Sequence, residues 1–205
     1  MALIKLNNKA VSNATAFGSI SSLGSMTFIK KLTASGSATL SFVDGTDGVV
    51  LDDTYKEYVF TFNNMHPATD LGMVTFQANA VGGSGYNETI TSTMFLAGHE
   101  EDDSWSALTY VTSGDQAQGT SFQQLARGTR NANDNAACGT LHIYNPSSTT
   151  FVKHFTASFN TVGTEECDTY YTAGYFNTTS ALDEFQFKMT SGNIDAGDIC
   201  LYGIA

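Results

Sequence analysis

Between Leu51 and Gln77 the chain reads LDDTYKEYVFTFNNMHPATDLGMVTFQ, and two stretches of it alternate with a period of two. Tyr58, Phe60 and Phe62 fall on one side of the first, with Glu57, Val59 and Thr61 on the other. Val74, Phe76 and Ala78 alternate in the same way with Met73, Thr75 and Gln77. Alternate residues share a face only in a pleated strand, and aromatic and β-branched side chains suit that surface. Asn63 to Asp70 lies between, dense in turn formers. Pro67 has no amide proton to give a ladder, so it belongs in the connection or at an edge. The stretch is expected to form a long β-hairpin at the centre of an all-β sandwich.

The rest of the chain follows the same rhythm. Met26–Thr33 and Ser37–Val43 read as strands around an Ala34-Ser35-Gly36 turn, and the Asp-Gly pairs of 44–48 mark a loop. Gly82–Gly85 is a turn without a following helix pattern, and Asn87–Phe95 is a further strand. Ser113–Asn135 is polar and mixed, and Phe122–Ala126 fits a strand or one helical turn equally. Cys138–Tyr144 and Thr150–Asn160 flank Asn145–Ser148 as a second hairpin. Glu165–Asp168 reads as a polar connection before Thr169–Phe176. Ala181–Thr190 carries Phe185, Phe187 and Met189 on one face, and Asp198–Ile204 is the last strand. Roughly ten to twelve short strands at regular spacing, with no convincing helix, argue for an antiparallel β-sandwich of jelly-roll type.

The 205 residues suit one β domain, and fourteen Phe and nine Tyr supply its core. Residues 26–205 are expected to form that single domain. Residues 1–25, Ser/Gly/Ala-rich after MALIKLNN, differ in composition. Leu3, Ile4 and Leu6 have nothing local to cover them, so the segment reads as an extended N-terminal arm that docks or assembles. The net charge of −11 repels phosphate backbones and anionic lipid, so neither nucleic acid binding nor membrane insertion is expected. No apolar run reaches membrane-spanning length, and the first residues lack the apolar core of a secretory signal. Cys138, Cys167 and Cys200 are odd in number and far apart, which excludes a complete intrachain disulfide set and a CxxC metal pair. Cys200 sits in a strand pattern as a small buried residue.

Chemistry-bearing residues are sparse. Glu100, Glu101, Asp102 and Asp103 form the sharpest charge run and the one local candidate for Ca²⁺, which takes clustered carboxylates from a loop. They lack EF-hand spacing, and a solvated acidic loop is the better reading. His142 and His154 fall on the two strands of the second hairpin and have no third metal ligand by spacing, so ordinary hydrogen-bonded imidazoles are expected. No GxSxG, SxxK or HExxH motif is present, so no catalytic residue and no cofactor are assigned. Paired carboxylates for glycoside hydrolysis would have to meet in space. Trp105, Tyr110 and several other tyrosines exceed what one core absorbs. They suit a subunit interface, with a glycan-stacking surface as the alternative.

Several phrases carry a resemblance: the opening MALIKLNN with its Ser/Ala stretch, LDDTYKEYVFTFNNMHPATD, TSTMF, LHIYNPSSTTFVKHF, AGYFNTTSALDEFQFKMTSGNID and the closing ICLYGI. Together they resemble structural and tail-fibre-like virion proteins of marine tailed phages, those of cyanobacteria and pelagic bacteria. The resemblance covers most of the chain and contains no catalytic motif. It implies a non-enzymatic β-sandwich protein on the outer surface of the virion, on the tail or capsid. Its implied partners are other virion proteins and further copies of itself, in trimers for example. A tail-fibre component would have a host surface glycan or protein as ligand, and a capsid decoration protein would clamp neighbouring subunits. A lectin or carbohydrate-active enzyme on the same fold is the alternative.

Overall fold

The computed structural model describes residues 26–163 and 165–205. The N-terminal arm, with Leu3, Ile4 and Leu6, lies outside them. Twelve strands follow in order: β1 (Met26–Ser37), β2 (Leu40–Val43), β3 (Glu57–Pro67), β4 (Gly72–Ala80), β5 (Ile90–Glu100), β6 (Ser106–Tyr110), β7 (Gln123–Thr129), β8 (Ala137–Tyr144), β9 (Lys153–Val162), β10 (Glu166–Phe176), β11 (Leu182–Met189) and β12 (Ile194–Ile204). There is no helix among the described residues.

All strand pairs are antiparallel, in two sheets. The larger has the order β1-β12-β3-β8-β9-β10-β5-β6, and the smaller β2-β11-β4-β7. Without β5, β6, β9 and β10, four strands β1-β12-β3-β8 face four strands β2-β11-β4-β7. That is the jelly-roll wind. The hairpins β5–β6 and β9–β10 are insertions after β4 and β8, joined to each other through β10 and β5. They extend the large sheet four strands past β8.

The central stretch corrects the expected hairpin. Both alternating runs are strands, but β3 pairs with β12 and β8, while β4 pairs with β11 and β7 in the other sheet. The four residues after Pro67 carry the chain across, with Leu71 at φ 61° and Gly72 N donating to Thr69 O. The reason is steric economy. In a hairpin the two aromatic runs would share one face and need a third element to cover it. As facing strands they supply both halves of the core. Phe60 and Phe62 from β3 each meet Phe187 of β11 at 5.1 Å, and Phe187 pairs with Phe76 of β4. Phe42 of β2 completes the group at 6.1 Å.

Other boundaries shift. β1 runs through the expected turn at Ala34–Gly36, because Gly36 takes φ 62° inside the strand. Gln123–Ala126 resolves as the start of β7, with Phe122 just before it, and Glu166–Asp168 belong to β10 and not to a connection. The second hairpin is β8–β9, with Leu141 opposite Ala157, and Cys200 is buried.

Phe187 touches aromatic rings from three other strands, so its removal leaves a cavity that no single neighbour can fill. Phe187→Ala is expected to cost about 3–5 kcal/mol in urea unfolding. Phe151→Ala, at an exposed loop ring, is expected to stay within ~0.5 kcal/mol.

Candidate functional site

The overhanging strands have no strand of the small sheet beneath β5 and β6. Past the end of β6, the segment between β6 and β7 takes over the edge of β5 and tucks the buried Gly114 against Met94 of the inner face. Ser92 N donates to Gln116 O, Val111 N to Met94 O, and Ile90 bridges Gly119. Backbone that leaves the regular ladder must still find partners for its polar groups. Two fully buried glutamines supply them. Gln77 Nε2 donates to the carbonyls of Glu88, Thr120 and Ser121 at 3.0–3.2 Å. Gln123 Nε2 donates to Gly114 O at 2.7 Å, while its Oε1 accepts from Ser92 Oγ at 2.6 Å. Nothing in the polar run Ser113–Asn135 marks these amides as structural. The one signal is Gln77 itself, a polar residue inside an apolar strand.

This plug holds the far end of the large sheet, where a small pocket opens on the inner face. Glu100 of β5 stands opposite Glu166 of β10, and Asp168 opposite Gly98. With Trp105 they line a cavity of about 280 Å³. The indole fits because residue 98 is glycine: a Cβ there would stand 2.6 Å from Trp105 Cζ3 and 2.7 Å from Asp168 Oδ1. Tyr170 donates to Asp168 Oδ2 at 3.0 Å. Asp168 Oδ1 is buried without a hydrogen-bond partner, and burial pushes the Asp168 carboxyl above its ordinary 3.8. An indole beside carboxylates can stack a sugar ring while accepting its hydroxyls, or hold a cationic side chain.

The acidic run itself is dispersed. Glu100 ends β5 with its carboxylate on Ser104 Oγ. Asp102 Oδ1 accepts from Ser104 N at 2.9 Å, and Asp103 lies 3.0 Å from His99 Nε2. Both hydrogen bonds from Ser104 hold Asp102 below the usual carboxylate range. Glu101 N donates to Glu165 O, tying this turn to the β9–β10 turn. Three of the four carboxylates, those of Glu100, Asp102 and Asp103, are therefore engaged within their own turn. No set of three or more His, Cys, Asp or Glu groups able to hold a metal occurs among the described residues. Glu100 alone joins the pocket, with Glu166 and Asp168 from a strand that the sequence presented as a connection.

The outer face of the same end is aromatic. Phe95 stacks on Tyr171 at 4.9 Å, and register places Tyr110 beside Phe95 and Leu108 beside Ala97. Their exposures are 42%, 41%, 49% and 74% in the order Phe95, Tyr171, Tyr110, Leu108. Trp105, 39% exposed, packs against Gly98 on the inner face, so Trp105 and Tyr110 serve opposite sides of one hairpin. His142 sits opposite Thr156, staggered from His154. Its Nδ1 lies 2.6 Å from Glu57 Oε1, while His154 lies against Tyr175.

Two predictions follow from this packing. Gln77→Leu leaves three loop carbonyls without their donor and is expected to cost about 1–3 kcal/mol in urea unfolding. For Asp168, the folded chain keeps a proton that the unfolded chain has lost once pH passes 3.8. Stability therefore falls as pH rises from 3.8 to the raised folded value, and the penalty persists above it. Asp168→Asn is expected to raise the urea midpoint at pH 7 and leave it unchanged at pH 3. Comparison with family models, with curated proteins and with solved structures found no match to this chain.

Proposed function

We propose that this protein is a non-enzymatic structural component of a virion surface, tail- or fibre-associated, in a tailed bacteriophage. The observation that carries the reading is the outer face of the overhanging strands. Phe95, Tyr171, Tyr110 and Leu108 lie side by side in solvent on one sheet face, and contiguous exposed apolar surface of this kind is contact surface. The jelly-roll wind supports it, being a common architecture of capsid and lectin domains. The phrase resemblance to marine phage proteins supports the particle and the host class. Mass spectrometry of density-banded phage particles tests the reading. The chain is expected to band with intact particles at a fixed copy ratio to the major capsid protein. Recovery only from the soluble lysate fraction would contradict it.

A glycan-binding module is the second reading, favoured by the Trp105–Glu100–Glu166–Asp168 pocket. It suits a host-recognition role on the same particle. Trp105 is the single tryptophan of the chain, so its emission reports directly on that pocket. Under this reading, titration with host surface oligosaccharide shifts the emission, and Glu166→Gln weakens binding about tenfold. An unchanged spectrum across the titration removes the glycan reading.

A further inference from the structure

The edges of the two sheets are not alike. β1 carries Lys30, Lys31 and a bulge between Phe28 and Lys30. β2 has four residues, and β7 carries Arg127 and two register shifts against β4. Lysine, bulges and shortness are the devices that keep edge strands from pairing with other chains. β6, SALTY, is short but has no charge, no proline and no bulge. Val111 N bonds Met94 O and Glu100 N bonds Trp105 O. Antiparallel alternation then turns the backbone groups of Ala107 and Thr109 toward β5, and those of Ser106, Leu108 and Tyr110 outward.

We propose that the occupant of this edge is the N-terminal stretch Ala2–Lys9 of a neighbouring copy, added as an antiparallel strand beside β6. Two observations choose it. The first is charge. Residues 1–25 contain Lys5 and Lys9 and no acidic residue, which leaves seven basic against twenty acidic residues in the remainder. The β6 edge ends at Glu100–Asp103 on one side and near Asp115, bonded by Tyr110, on the other. Two β6 edges from two copies would bring these acids together, whereas the N-terminal stretch brings lysine. The second is pattern. With Leu6 opposite Leu108, alternation sets Ile4 beside Tyr110 on the outer aromatic face. It also sets Lys9 beside Trp105 on the inner face, within a long side chain's reach of Glu100.

Length favours a neighbour over the chain's own terminus. β1 and β6 are opposite edges of the eight-stranded sheet, roughly 34 Å apart along it at about 4.8 Å per strand. A random coil as long as residues 10–25 spans roughly 22 Å. The contact does not depend on the virion reading, since it would form in any solution of the full chain.

Full-length chain, half of it ¹⁵N-labelled, is mixed at equal amounts and treated with a zero-length carbodiimide cross-linker. The expected product joins Lys9 to Glu100–Asp103, with labelled chain linked to unlabelled chain at the statistical frequency. Leu108→Asp, at an exposed position that leaves the core untouched, is expected to cut that yield about tenfold and to lower the mass seen by light scattering. Cross-links confined to chains of one label, no such cross-links, or an undiminished yield in Leu108→Asp would each overturn the proposal.

Discussion

Eight strands face four, and the rest of the architecture answers that mismatch. Where the two sheets overlap, the core closes with phenylalanine from both sides around Phe187. Beyond β8 the large sheet continues, and past β6 the edge of β5 is held by the irregular segment that leads to β7. Irregular backbone can seal it only if its amides and carbonyls are paired, because a buried unpaired peptide group costs on the order of 1–3 kcal/mol. Gln77 and Gln123 do this, one from β4 and one from the start of β7. The overhang is thereby braced although only half of it is sandwiched.

The strands themselves were legible in the sequence because alternation records which residues share a face. Phe185, Phe187 and Met189 point inward as their spacing requires, and Cys200 is buried with Leu201 beside it. Alternation does not record which strand lies next door. The patterns of β3 and β4 are equally compatible with pairing in one sheet and with facing each other across the core, and the protein uses the second. The pocket was hidden for a related reason. Glu100 and Glu166 meet only because β5 and β10 pair, and Glu166 follows a turn that made it look like a connection. The buried glutamines left little trace, since their polar side chains resemble loop residues until the loop is seen to fold back onto them.

The two faces of the overhang offer different chemistry at one end of the molecule. Outside, a stacked Phe95–Tyr171 pair continues into Tyr110 and Leu108. Inside, Trp105 stands beside three carboxylates, one of them raised by burial. Between them runs an uncharged edge. A contact surface for assembly and a recognition pocket can thus coexist within one hairpin, and the jelly-roll core need only hold that hairpin still.

Amide hydrogen exchange on the full-length chain, compared between dilute and concentrated solution, tests most directly that this end is where the protein makes contact. The account predicts that slowing on concentration centres on the outward amides of Ser106, Leu108 and Tyr110, with the core strands β3, β4 and β11 unchanged. Slowing centred on β1, or on the small sheet, with β6 unaffected, would contradict it.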